Sequence, residues 1–187
     1  MENFQLKEVS DVTDENVKTV QGLLNQLTSS PISFTKEKLQ TIIDNKDSHL
    51  YFFQKGEQVY GMITTGSYEA PTGRKTWIED VVVDEKFRGA GLGRKMLQEM
   101  LDKLSLEENT TLMLTSNPKR IAANALYKSL GFTPKETNVY KMEIKKKIKT
   151  KKEPQSFSSP TMKKLWLNNT RQAIIIFPYS AHYTDEL

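Results

Sequence analysis

The sequence of 187 residues predicts a three-layer domain of the α/β (α+β) class, with helices covering both faces of a mixed sheet. Three observations carry this. The apolar spacing switches between a period of two and a period of about 3.6 residues, in the order β, α, α, an antiparallel three-strand run, then α, β, α, β. Lys75 to Val83 is rich in β-branched residues and apolar on both faces at its end, as a strand covered from two sides must be. A chain of this length buries roughly 70% of the surface that its unfolded form exposes, enough for one self-sufficient core.

Each element has a local cause. Phe4, Leu6 and Glu8 alternate with polar neighbours as a short strand does. Thr13 or Asp14 caps a helix whose Val17, Val20, Leu24 and Leu27 form one apolar stripe, ended by Ser29, Ser30 and Pro31. Thr35 caps a second, short helix with Leu39, Ile42 and Ile43 facing inward. Leu50 to Gln54 and Val59 to Ser67 form a hairpin about the turn at Lys55 to Gln58, and Ala70 to Gly73 turns into the long strand. The next helix buries Leu92, Met96, Leu97, Met100, Leu101 and Leu104, and Thr111 to Thr115 is a short strand. Asn117 and Pro118 lead into a helix through Ile121, Ala125, Leu126 and Leu130, closed by Gly131 as a left-handed cap. Phe132 and Val139 to Ile144 are expected to supply the last strand or strands.

Composition excludes several chemistries. The absence of cysteine removes disulfides, a thiolate nucleophile, iron–sulfur clusters and zinc–cysteine sites. His49 and His182 are too few for a His-rich metal site, so no metal is expected. No apolar signal segment opens the sequence and no run approaches a membrane span, so the expected setting is cytoplasmic. The net charge of +4 is unevenly placed: residues 1–145 carry 19 Lys/Arg against 20 Asp/Glu, and residues 146–187 carry 8 against 3. The expected domain, 1–145, is thus nearly neutral, and the basic excess belongs to a C-terminal tail, 146–187. The lysine run from Lys145 to Lys152 and the serine- and proline-containing stretch from Pro154 to Pro160 read as a flexible, exposed linker. Leu165 to Leu167 and Ala173 to Phe177 are apolar patches too small to make a domain.

The segment that carries chemistry is Arg88-Gly89-Ala90-Gly91-Leu92-Gly93, between the long strand and an amphipathic helix. Its glycines permit a tight turn and close backbone approach. The helix start behind them turns unpaired N–H groups and the positive dipole end outward, which suits a phosphate or pyrophosphate. Arg88, Arg94 and Lys95 flank this anion site with further donors. The Gly-x-Gly-x-Gly spacing in mid-chain departs from the dinucleotide fingerprint, and no Lys-Ser/Thr follows as a P-loop requires. The bland alternative is a glycine-rich helix entry without a ligand.

Arg88, Gly91 and Gly93, placed after a long strand, resemble motif A (Arg/Gln-x-x-Gly-x-Gly/Ala) of the GNAT superfamily of N-acetyltransferases. Asn124, the run Ala125 to Lys128 and then Leu130 to Phe132 resemble its motif B, so the resemblance spans about residues 2–144. It implies the acyl-CoA N-acyltransferase fold, with a mixed and mostly antiparallel central sheet. It implies acetyl-CoA as acetyl donor and a primary amine as acceptor. The pyrophosphate would sit on the N–H groups of Arg88, Gly89, Ala90, Gly91, Leu92 and Gly93, beside Arg94. The pantetheine arm would lie along Val81, Val82 and Val83 and meet Asn124, and Tyr127 would protonate the departing thiolate. A helical tyrosine is also often a core-edge aromatic with a satisfied hydroxyl.

An amine with a pKa of about 10 must lose a proton before it attacks a thioester. Glu79 and Asp80 stand on the strand just before the implied pantetheine segment. Neighbours on a strand point to opposite faces, so at most one faces the acceptor unless a bulge intervenes. Glu79 is favoured as the base and Asp80 is the runner-up, against the alternative that one ends a strand pair and the other orders a loop. A backbone N–H near Val81 or Val82 would hold the developing oxyanion. Without cysteine, transfer would be direct.

The acceptor is less legible. Ile78 to Val83 with Arg88 to Gly93 is similar to glucosamine-phosphate N-acetyltransferases, which makes an amino-sugar phosphate one candidate. Leu114 to Asn124 departs toward small bacterial-type acetyltransferases with unassigned acceptors. Tyr68, Trp77, Lys119, Arg120 and Tyr140 are candidates for lining the acceptor cleft. The competing class is a CoA-binding interaction module without turnover. The expected partners are a small-molecule or peptide amine and, as for many such relatives, a second copy in a homodimer. Neither a membrane nor a specific nucleic acid is expected, since the lysine run lacks interleaved aromatics.

Overall fold

The structure is a computed structural model that describes residues 3–106 and 109–144. The tail expected over 146–187, with its lysine run and apolar patches, lies outside the described residues. These fall into two compact units, one reaching Pro134 and one starting at Lys135. Among the described residues no helix is long and apolar enough to cross a membrane.

The first unit runs β1 (Gln5–Glu8), α1 (Asp14–Leu27), α2 (Lys36–Ile43), β2 (Ser48–Lys55), β3 (Gln58–Tyr68), β4 (Lys75–Val83), α3 (Leu92–Ser105), β5 (Thr111–Leu114) and α4 (Ile121–Ser129). The strands lie in that order across one sheet, antiparallel from β1 to β4 and parallel between β4 and β5. The sheet is therefore mixed and mostly antiparallel. The helix starts follow the local chemistry: the Thr13 hydroxyl accepts from the Asn16 N–H and the Thr35 hydroxyl from the Lys38 N–H. Gly131 adopts φ 94°, the left-handed conformation that closes α4.

Strand alternation divides the core into two layers. Leu50 and Phe52 of β2 and Met62 of β3 join Val20, Leu23, Leu24 and Leu39 from α1 and α2. Tyr51, Phe53 and Ile63 point the other way, onto Met96, Leu97 and Met100 of α3. β4 breaks its own alternation. Ile78 lies in the α3 cluster and Val82, four residues on, lies in the α1/α2 cluster, with Val81 and Val83 back against the α3 side. A regular strand would put residues 78 and 82 on one face. The pairing explains it: Thr64 faces Glu79 and Met62 faces Val82, so Ile63 alone stands opposite Asp80 and Val81. This is a β-bulge, and Asp80 takes φ 50° within it.

The expected strand at Val139 to Ile144 is absent: the described residues 133–144 hold none, and Val139, Tyr140, Met142 and Ile144 are exposed. Alternation only fits a segment to a half-buried pleated surface. A strand also needs a hydrogen-bonded neighbour. In the second unit, Lys141 instead pairs with Glu143 at 3.3 Å.

Candidate active site

The bulge and the ending of the β4–β5 ladder coincide. The parallel pairing runs from Lys75 opposite Thr111 to Ile78 opposite Leu114 and stops. Beyond Ile78, β4 continues to Val83 paired with β3, while its other edge has no strand partner among the described residues. A shallow cleft, open to solvent, occupies the divergence. Its walls are Ile78 to Val81 of β4, Leu114 to Ser116 at the end of β5, Leu27 of α1, and Arg120 and Tyr127 of α4 and its entry. Glu79, Asp80, Val81 and Tyr127 are thus brought to one place. Both acidic residues line the cleft, and the bulge breaks the regular alternation between them.

Both carboxyls are half-buried, and both titrate above the usual carboxylate range. For Glu79 the main cause is burial, which disfavours the charged form, and the neighbouring Asp80 charge adds to it. For Asp80 burial again dominates, partly offset by a hydrogen bond donated by the Thr64 side chain. The Ser116 Oγ is buried in the described structure without a hydrogen-bond partner, which costs about 1–3 kcal/mol unless a ligand or water satisfies it.

At the far end of β4, Asp84 to Gly91 leads into α3 through one 3-10 turn at Glu85–Phe87. Gly89 and Gly91 have φ 85° and 71°, both left-handed. Gly91 is the N-cap of α3 and carries no side-chain cap, and no acidic residue lies in the first turn. The contrast with α1 and α2 is chemical, since those starts have a threonine cap and one or two carboxylates. The α3 start therefore presents uncompensated N–H groups and a positive dipole end. Arg88 through Gly91 are exposed. The Arg88 Nε donates to the Val83 carbonyl at 3.0 Å, so its head lies at the end of the free β4 edge. Arg94 donates to the Ser129 Oγ at the end of α4. Gly93 places α3 against its neighbours: a Cβ there would meet Leu126 at 3.5 Å and Val83 at 3.8 Å.

Asn124 has both amide hydrogens committed, to the Asn117 carbonyl at 2.8 Å and the Arg120 carbonyl at 2.9 Å. It shapes the entry to α4 and keeps its own oxygen as an acceptor. Tyr127 is half-buried, edge-on to Phe132 at 6.1 Å. Arg120 Nη2 donates to the Leu27 carbonyl at 2.9 Å and ties α1 to the α4 entry. Of the residues expected to line an acceptor cleft, Arg120 is among the walls of this cleft, whereas Tyr68, Trp77 and Lys119 are not; Tyr140 belongs to the other unit. Strand position alone could not say which way those side chains lean. Leu27 and Ser116 were not expected in the cleft: Leu27 ends a predicted stripe, and nothing local marks Ser116.

Residues 20–132 match the sequence profile described as the Acetyltransferase (GNAT) family. The chain is 26% identical over 133 residues to the spermine/spermidine N(1)-acetyltransferase of Bacillus subtilis (strain 168), covering 66% of this chain and 86% of that protein. Among solved structures, a possible acetyltransferase from Clostridium difficile 630 superposes with TM-score 0.63 at 18% identity, over 76% of this chain and 99% of its own. Glucosamine-6-phosphate N-acetyltransferase from Arabidopsis thaliana gives TM-score 0.60 at 22% identity, over 75% and 99%. At these identities the structural likenesses bear on fold alone.

Proposed function

The chain belongs to the acetyltransferase (GNAT) family and is an acetyl-CoA-dependent N-acetyltransferase; from that premise we propose that it moves acetyl directly onto a primary amine of a polyamine-like cation held in the cleft at the β4 bulge. The observation that carries the reading is the bulge itself, which sets two acidic residues, Glu79 and Asp80, side by side in the lining of the cleft beside the free edge of β4. Acetyl-CoA supplies a thioester carbonyl. The residues fit such a donor: the uncapped α3 start and Arg88, Gly89, Ala90, Gly91, Leu92, Gly93 and Arg94 suit a pyrophosphate. The edge of Val81, Val82 and Val83 offers backbone partners to the pantetheine amides, and the Asn124 oxygen would accept from them.

In this reading Glu79 takes the proton from the acceptor ammonium, directly or through water, with Asp80 as the alternative base. Burial suits Glu79 to this, since a carboxyl with a raised pKa is a stronger base. As the C–N bond forms, a backbone N–H near Val81 or Val82 steadies the oxygen that gains charge. As the C–S bond breaks, Tyr127 gives its proton to the departing sulfur. The catalytic domain is read as residues 1–145, with 146–187 dispensable for transfer.

The test is thiol release from acetyl-CoA by the full chain with spermidine, glucosamine 6-phosphate and an N-terminal alanine peptide as separate acceptors. Polyamine turnover well above the other two is expected. Turnover only with the sugar phosphate or the peptide overturns the acceptor class. CoA binding without transfer to any amine overturns the assignment of Glu79 and Tyr127. Activity retained by a chain ending at residue 145 is expected, and its loss overturns the domain boundary.

A further inference from the structure

We propose that Gln26, on the last turn of α1, is a positioning residue for the donor-binding loop. The inference rests on the reading that residues 88–93 seat a pyrophosphate. Gln26 Oε1 accepts from the Glu85 backbone N–H at 2.8 Å and lies 3.4 Å from Arg88 Nη2. It thus holds the 3-10 turn and steadies the arginine whose Nε is fixed on the Val83 carbonyl. The turn's other anchors are the neighbouring strand β3, through Asp84 N–H to the Tyr60 carbonyl and the Phe87 ring on Tyr60 at 4.5 Å, and the turn itself, through Lys86 N–H to Asp84 Oδ1. Gln26 adds a brace from 59 residues away.

The brace matters because the loop it holds is exposed and glycine-rich, and such a segment loses much conformational freedom when a ligand orders it. Fixing it beforehand removes part of that cost from binding. Both contacts use Gln26 as an acceptor, so an apolar residue at this position loses both and leaves the Glu85 N–H and the Arg88 head to move. The acceptor side is tied separately, through the Leu27 carbonyl and Arg120. Loss of Gln26 is therefore felt through the donor's phosphates and not through the amine.

The experiment compares wild type, Gln26→Leu and Gln26→Ala with two donors, acetyl-CoA and S-acetylpantetheine, which lacks the pyrophosphate and nucleotide. The expected result is a rise of about tenfold in KM for acetyl-CoA, with KM for S-acetylpantetheine, KM for the amine and the melting temperature unchanged. Both variants within twofold of wild type on acetyl-CoA overturn the proposal. Equal losses on the two donors also overturn it, because they mark a general structural role. A wild type that uses S-acetylpantetheine as well as acetyl-CoA overturns the pyrophosphate reading beneath it, a failure visible before any variant is made.

Discussion

Gly61 is the position where the smallest perturbation should have the largest readable effect. It lies on β3 opposite Val83, buried against the strand that carries the bulge and the free edge. A Cβ added there would stand 2.4 Å from the Val82 carbonyl oxygen, 3.2 Å from the Val83 Cα and 3.4 Å from the Met96 sulfur. Relieving the first contact requires β3 and β4 to separate by roughly 0.6–1 Å. Neither strand has room to give, since Val82 is buried in one core layer and Met96 is fully buried in the other. Overpacking of this kind costs about 1–3 kcal/mol, and stretched ladder hydrogen bonds add about 1 kcal/mol. Gly61→Ala is therefore expected to lose about 2–4 kcal/mol, a large share of the 5–15 kcal/mol typical of a domain. A displacement of about 1 Å at the Val82–Val83 edge should also cut acetyl-CoA turnover by ten- to a hundredfold. Urea unfolding with linear extrapolation gives the first number, and kcat/KM for acetyl-CoA gives the second. Gly66→Ala on the same strand is the control, since nothing lies within 4 Å of its added Cβ. Stability of Gly61→Ala within about 0.5 kcal/mol of wild type, or equal losses in the two variants, would refute the steric argument.

Three further outcomes are expected. Glu79→Gln should lower kcat about a hundredfold at neutral pH. In wild type the rate should rise with pH up to the raised pKa of Glu79 and then level; a variant that keeps this limb would remove Glu79 as the base. The same shift has a stability sign. With a folded pKa above the unfolded one, the contribution of Glu79 is fully present below the unfolded value and is lost as pH rises through the folded one, so Glu79→Gln should melt higher than wild type above that pH. Tyr127→Phe should slow kcat about ten- to a hundredfold without abolishing it, since a thiolate with a pKa of about 8.5 leaves without full general-acid help. An unchanged kcat in single-turnover assays would exclude the hydroxyl. Gly22→Ala, in α1 with nothing within 4 Å of the added Cβ, should gain about 0.5–1 kcal/mol in urea unfolding with activity intact.

What the sequence made legible was whatever depends on nearest neighbours. Thr13 and Thr35 cap their helices and Gly131 closes α4, because a cap is decided within four residues. The stripe Met96, Leu97 and Met100 is buried as its spacing requires. The uncapped start at Gly91 follows from the glycines and the missing acids. The Gln26 brace to the 3-10 turn and the hold of Arg120 on Leu27 were not legible, since their partners lie 59 and 93 residues away. Val139 to Ile144 failed for a related reason: its alternation describes a surface that the strand would need, and sequence does not say whether a neighbour supplies it.

The bulge shows how far this limit reaches into the chemistry. Nothing around Asp80 marks it, although aspartate is among the few non-glycine residues that tolerate a left-handed φ. The cause lies in the two core layers. Ile78 must reach the α3 side and Val82 the α1 side, and a strand joining them can satisfy both only by inserting one residue between. The triple valine that ends β4 fits this requirement, because Val81, Val82 and Val83 are divided between the layers whichever way the parity falls. The inserted residue then cannot point where alternation would send it. It lies beside Glu79 at the point where β5 leaves the ladder. The packing of two hydrophobic layers thus places two adjacent acidic residues in the lining of one cleft, and that packing offsets the left-handed φ at Asp80, which costs about 1–2 kcal/mol.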